Sequence, residues 1–200
     1  MTMSGQQPAA ASAEARRAMI DSQLRTSGVN EPWVLAAMAR VPREDFVPEQ
    51  AKAAAYTDRA VTLGGGRFLA APLVHGKMLT EAAPLASDNA LLVGDDQGYL
   101  AALLRPLVGS LDCVEPDAAA KGPGKGAYTL IIIDGAIEQL PDWVAARLTD
   151  NGRLVTGLVT RGVTRLAAGR KAGGAVALLP LAELGIPVLP QFAAPKRWSF

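Results

Sequence analysis

The chain has 200 residues, of which 50% are hydrophobic and 20% charged, enough for one packed domain and unlike a disordered chain. Its formal net charge is +1 and it has no run of Lys and Arg, so neither a nucleic-acid partner nor a membrane surface is expected. The lone Cys113 excludes an internal disulfide and a Cys-rich metal site, and points to a reducing, cytoplasmic setting.

No apolar stretch has the length of a membrane span, and the small polar N-terminus does not read as a signal peptide. Residues 1–12 read as a disordered tail rich in Gln, Pro and Ala, closed by Ser12 as the N-cap of the first helix. That helix is expected to run to about Ser27, with Met19, Ile20, Gln23 and Leu24 on one face and Gly28 as its C-cap. Asn30-Glu31-Pro32 opens a second helix carrying Val34, Leu35 and Met38, and Pro42 stops it. A third short helix follows Pro48. Residues 59–63 read as a strand, Gly64-Gly65-Gly66 as a loop, and residues 72–85 as a helix burying Leu73, His75, Met78, Leu79 and Ala82.

From residue 90 the pattern changes. Strands are expected over residues 90–93, 111–114, 128–133 and 153–160, and helices over 99–104 and 140–148. This alternation predicts a parallel sheet covered on both faces. Cys113 lies in an apolar run and reads as a buried core thiol. Residues 163–167 and 175–179 read as an antiparallel edge hairpin across Gly173-Gly174. Residues 184–192 offer a further strand that Pro187 and Pro190 weaken. The expected organisation is a single domain over residues 13–200, with a helical extension over 13–89 and a sheet core over 90–200.

The chemistry-bearing segment is Leu91-Leu92-Val93-Gly94-Asp95-Asp96-Gln97-Gly98-Tyr99, a strand, a glycine turn and a helix start. Glycine lets backbone approach a ligand closely, and the next helix begins there. An acid at the end of the next strand accepts hydrogen bonds from ribose hydroxyls, and Glu115 holds that place. A plain strand–turn–helix junction fits the same residues.

Several segments match one family. They are Arg17-Ala18-Met19-Ile20-Asp21-Ser22-Gln23-Leu24, Val34-Leu35-Ala36-Ala37-Met38, Val41-Pro42-Arg43-Glu44-Asp45-Phe46-Val47-Pro48 and Ala55-Tyr56-Thr57-Asp58-Arg59. With residues 128–134, 140–141 and 148–154, they make the chain resemble the protein-L-isoaspartate O-methyltransferases over residues 14–160. The resemblance implies a reduced doubly wound, Rossmann-like methyltransferase sheet in an α/β fold, with an N-terminal helical extension and an antiparallel C-terminal edge. It implies S-adenosylmethionine as cofactor and a damaged, isoaspartyl-containing protein or peptide as partner. Gly94, Asp96, Gly98, Tyr99, Glu115 and Asp134 would then border the cofactor. Leu69, Ala70, Pro72 and His75 would form the substrate wall. No residue is assigned a catalytic role.

Three departures accompany the resemblance. Asp96 replaces a third glycine of the family's turn, where its carboxylate either meets the ligand ammonium or obstructs the site. Ala70, in Phe68-Leu69-Ala70-Ala71-Pro72, replaces the family's reaction-site serine and lacks its hydroxyl. Residues 116–127 replace a helix and a strand that border the adenine. A strand–helix–strand unit needs about thirty residues, so none fits. Extended at about 3.3 Å per residue the linker still spans roughly 40 Å, against about 20 Å to be crossed. The sheet's edge strand and covering helix are therefore expected to be absent, with a flexible Gly-rich loop in their place. The departures leave open a catalytically impaired relative acting as a non-catalytic binding or interaction module, and also a methyltransferase with a changed substrate.

Other candidates stay open or fall away. His75 faces the substrate groove or is a hydrogen-bonded packing residue. It has no companions for a metal. Asp134 borders the methyl-transfer site or caps the next helix. Ser22, Ser87 and Ser199 have no base partner, and Trp33, Trp143 and Trp198 are too scattered for base stacking.

Overall fold

The computed structural model describes residues 6–122 and 125–195, so Trp198 and Ser199 lie outside the described residues. The chain divides into two compact units, Met1–Thr80 and Glu81–Phe200.

The first unit opens with α1 (Gln6–Met19). This helix starts well before Ser12, so residues 6–11 are helical and not the expected tail, and Ser12 is not an N-cap. The helical path continues through Ile20–Leu24 and Arg25–Ser27, and ends at Gly28 in the left-handed region with φ 78°. Met19, Ile20 and Leu24 are buried along one face. Helix α2 (Pro32–Arg40) has Pro at its start and buries Val34, Leu35, Ala37 and Met38. The helix expected after Pro48 is 3-10 in character, over Glu49–Ala54.

A β-hairpin follows, with β1 (Val61–Gly64) paired antiparallel to β2 (Arg67–Leu69). The glycines expected as a loop form its turn, with positive φ at Gly64, Gly65 and Gly66. Helix α3 (Pro72–Ala82) buries Val74, His75, Met78, Leu79 and Ala82, while Leu73 is half-buried. Gly76 lets α3 approach Leu24 and Val29, whose methyl groups would lie 3.3 Å from an added Cβ.

In the second unit the strands are β3 (Asn89–Val93), β4 (Ser110–Val114), β5 (Tyr128–Ile137), β6 (Leu148–Thr160), β7 (Val163–Ala172) and β8 (Ala175–Glu183). Among the described residues they form one sheet in the order β4-β3-β5-β6-β7-β8. The first four run parallel, and β7 and β8 add antiparallel. Between them lie α4 (Tyr99–Leu104), α5 (Pro116–Ala119) and α6 (Asp142–Arg147).

Leu91, Val93, Ile131 and Ile133 pack on one face with Ala119, Val144 and Phe192. The alternate residues Ala90, Leu92, Leu130 and Ile132 are equally buried, so both faces are covered as the apolar runs predict. Residues 184–192 do not form the further strand. Their pairing with the sheet is a single bridge, Val188 to Ala136, before a 3-10 turn at Pro190–Phe192. Strand β4 is the sheet edge, as the shortened linker predicts, and the one-turn α5 stands where a covering helix is expected to be missing. Among the described residues no helix is long and apolar enough to cross a membrane, and no cluster of His, Cys, Asp and Glu could hold a metal.

Candidate functional site

The glycine turn leaves the carboxyl end of β3. Its start is tied to the neighbouring strand, because the Gly94 N–H donates to the Val114 carbonyl at 2.9 Å. A Cβ added to Gly94 would lie 3.3 Å from the Cβ of Asp134 on β5. Gly94, Asp134 and the β4 end that carries Glu115 therefore gather at the carboxyl ends of adjacent strands, where α/β sheets bind ligands.

The turn is held by Asp95. Its carboxylate accepts the Gln97 N–H at 2.8 Å, and its carbonyl accepts the Gly98 N–H at 2.9 Å. Glycine at 98 is required by closeness, since a Cβ there would sit 2.9 Å from the Asp95 carbonyl oxygen. Gly98 then caps α4, and Tyr99 is buried beneath the turn's exit.

Asp96 is exposed and turned toward β4. It forms an ion pair with Arg105, which also donates to the Asp96 carbonyl at 2.9 Å, and it accepts from the Gln97 side chain at 2.8 Å. The Cys113 thiol and the Gln97 amide, with the Arg105 charge, hold its carboxyl below the usual carboxylate range. Its partner Cys113 is on β4, whereas Asp134 is on β5, the strand on the other side of β3.

Cys113 is half-buried on the edge strand, not the buried core thiol expected, because among the described residues no further strand covers β4. Burial and the neighbouring Asp96 carboxylate push its pKa up to about 12, which leaves it inert as a nucleophile near neutral pH. Glu115 is exposed two residues on, at the N-cap of α5.

The expected substrate wall belongs to the first unit. Leu69 ends β2, Ala70 and Ala71 are buried, and Pro72 starts α3. His75, one turn into α3, is fully buried with its Nδ1 3.3 Å from Nη1 of Arg43. A guanidinium has no acceptor, so Nδ1 accepts and the ring proton sits on Nε2. Of the two readings of His75, this geometry is the packing one.

Arg43 was not anticipated as a site residue. It too is fully buried, donating to the carbonyls of Ala55 at 2.8 Å and Ala70 at 2.7 Å. Its N–H donates to the Tyr56 hydroxyl at 3.3 Å. The Tyr56 hydroxyl in turn donates to Glu44 and accepts from Arg16 at 2.8 Å. Burial and the Glu44 carboxylate push the Tyr56 pKa up to about 12. The sequence signal was an Arg and a Tyr inside family-matching segments, but neither carries a local pattern that distinguishes a buried polar network from surface charge.

The structure thus gathers Gly94, Asp96, Gly98, Tyr99, Glu115 and Asp134 around one set of strand ends. It brings Ala70 and His75 together on Arg43, with Leu69 and Pro72 adjoining Ala70 and Ala71 in the chain. Comparison with known proteins follows the same outline. A sequence model of the family described as protein-L-isoaspartate(D-aspartate) O-methyltransferase matches residues 14–117. A protein-L-isoaspartate O-methyltransferase of Rhodopseudomonas palustris is 32% identical over 68% of this chain and 74% of its own length. Its counterpart in Methanoculleus marisnigri is 29% identical over 88% of this chain and 92% of its own. Among solved structures, a protein-L-isoaspartate O-methyltransferase of Plasmodium falciparum in complex with S-adenosyl-L-homocysteine superposes with a TM-score of 0.71. That match covers 90% of this chain and 98% of the other at 16% identity, and speaks for the shared fold. Strand ends, helical extension and matched sequence agree, and the chain belongs to the protein-L-isoaspartate O-methyltransferase family.

Proposed function

We propose that this chain binds S-adenosylmethionine and transfers its methyl group to isoaspartyl carboxylates of damaged proteins. One observation carries the reading beyond family membership. The Asp96 carboxylate, which replaces a turn glycine, is engaged by Arg105 and by Cys113 on β4, while Gly94 stays packed beside Asp134 at the strand ends. The turn also keeps the close backbone packing at Gly98 that a Cβ would fill. The residues present therefore fit the methionine and ribose portions of the cofactor, with Gly94 and Gly98 giving close backbone approach and Glu115 accepting from ribose hydroxyls.

When bound, the cofactor supplies an electrophilic methyl group. The accepting oxygen belongs to the substrate and is already anionic near neutral pH, so no general base is needed from the chain. What remains for these residues is to bind, align and exclude water. Ala70 supplies no hydroxyl for that alignment, so transfer is slow.

The second reading, a non-catalytic binding or interaction module, is favoured by Ala70 and by the uncovered β4 edge. Calorimetric titration with S-adenosylhomocysteine, followed by a methyl-transfer assay on an isoaspartyl peptide, separates the two. Binding plus slow transfer is the expected result. Binding without transfer favours the module, and no heat at high micromolar ligand sinks the methyltransferase reading.

A further inference from the structure

We propose that Arg43 is a positioning residue for the isoaspartyl site, fixing the backbone of the substrate wall by holding the Ala70 carbonyl. The inference rests on the proposed function and adds a residue to it.

A fully buried guanidinium loses its hydration and is kept only where its donors are well placed. The Arg43 guanidinium donates at 2.8 Å to the Ala55 carbonyl, at 2.7 Å to the Ala70 carbonyl and at 3.3 Å to His75 Nδ1. The planar fork makes the three directions rigid relative to one another. Ala55 is the foundation, since the adjoining Tyr56 is itself tied to Glu44 and Arg16. His75 fixes the fork from α3. Ala70 is the group being aimed.

The consequence follows from peptide geometry. The Ala70–Ala71 peptide bond is trans, so the Ala70 carbonyl and the Ala71 N–H point in opposite directions. Drawing the carbonyl toward Arg43 therefore sets which way the Ala71 N–H faces. The next carbonyl, of Ala71, is taken by the first turn of α3 through Val74 at 3.0 Å, and Pro72 carries no N–H. With alanine at position 70, the wall has no side-chain hydroxyl with which to orient a carboxylate. The Ala71 N–H is a backbone donor in that wall, and Arg43 fixes the peptide plane that carries it.

Arg43→Lys keeps the charge but cannot reach three acceptors in fixed directions. For this variant the KM for an isoaspartyl peptide should rise about tenfold, with kcat changed less than threefold. S-adenosylhomocysteine affinity, which reads the second unit's turn, should stay within twofold. Anisotropy of a labelled isoaspartyl peptide, in saturating S-adenosylhomocysteine, should show the same tenfold weakening without needing turnover. An unchanged peptide affinity with only a lower melting temperature would overturn the proposal, as would an equal loss of cofactor affinity. Should Arg43→Lys not fold, Arg43→Gln, whose shorter side chain does not reach the Ala70 carbonyl, takes its place with the same readouts. Wild-type protein that binds S-adenosylhomocysteine but no isoaspartyl peptide would overturn the functional reading itself, and this inference with it.

Discussion

Gly98 needs its missing side chain for a reason of contact rather than backbone angle, since its φ of −79° suits any residue. The atoms a Cβ would meet, at 2.9 Å and 3.1 Å, belong to Asp95, whose own bonds shape the turn. They cannot rotate away as a flexible side-chain tip would. Gly98→Ala should therefore distort the turn, costing about 1–3 kcal/mol by overpacking and at least tenfold in S-adenosylhomocysteine affinity. Calorimetry and a urea titration check both, and an affinity within twofold of wild type would detach the turn from cofactor binding. The two glycines of the turn were legible because spacing alone marks them. The state of Asp96 was not, because its partners Arg105 and Cys113 are brought to it by the fold. Cys113 misled for the same reason: an apolar tetrapeptide looks identical on a central strand and on an edge strand. Arg43 was hidden because an arginine's burial depends on acceptors contributed by residues 55, 70 and 75.

Asp88 joins the start of β3 to both β5 and β6. It accepts from the Thr129 hydroxyl at 2.7 Å and the Leu85 N–H at 2.7 Å, and pairs with Arg153, which also donates to the Ala82 carbonyl at 2.9 Å. Burial works to raise the Asp88 pKa. The Thr129 and Leu85 hydrogen bonds and the Arg153 charge outweigh it and hold the carboxyl below its ordinary value. A carboxyl depressed in the folded state stabilises fully above its unfolded pKa, near 4, and loses that contribution as pH falls through the folded value. Stability should therefore drop below about pH 4 in wild type, and Asp88→Asn should flatten that drop while costing about 3 kcal/mol at pH 7. Urea titrations at pH 3 and pH 7 give both numbers, and an equal pH slope in the two proteins would remove Asp88 from the acid response. The hairpin of β7 and β8 turns on Gly173 and Gly174, at φ 58° and 81°. Alanine at either should cost about 1–2 kcal/mol in thermal or urea unfolding, because L-residues resist the left-handed region. This turn was readable from Gly-Gly between apolar runs, as were β3 to β6 from their apolar lengths. Strand β2 was not, since three residues carry no period, and residues 184–192 look strand-like until their prolines limit them to one bridge.

The two compact units divide the expected functional residues between them, with the cofactor set in Glu81–Phe200 and the substrate set in Met1–Thr80. The division makes two of the departures from the family, Asp96 and Ala70, separable in experiment. A ligand that binds only folded protein stabilises it by about 2.7 kcal/mol at a hundredfold excess over Kd, which for a chain of this size is a Tm rise of roughly 5–10 °C. Asp96→Gly removes an exposed ion pair with Arg105, a contact that contributes little to stability by itself. Its effect on unliganded Tm should be slight. By restoring the turn's third glycine it should enlarge the S-adenosylhomocysteine-induced rise at fixed subsaturating ligand. Ala70→Ser should leave that rise unchanged and instead increase methyl transfer to an isoaspartyl peptide about tenfold, since it returns an aligning hydroxyl. If Ala70→Ser enlarged the rise as Asp96→Gly does, position 70 would be acting on cofactor binding, and the assignment of Leu69, Ala70 and Pro72 to the substrate would fail. If neither change moved either readout, the limit would lie at the β4 edge, beyond which the described residues give the cofactor's base no strand to rest against.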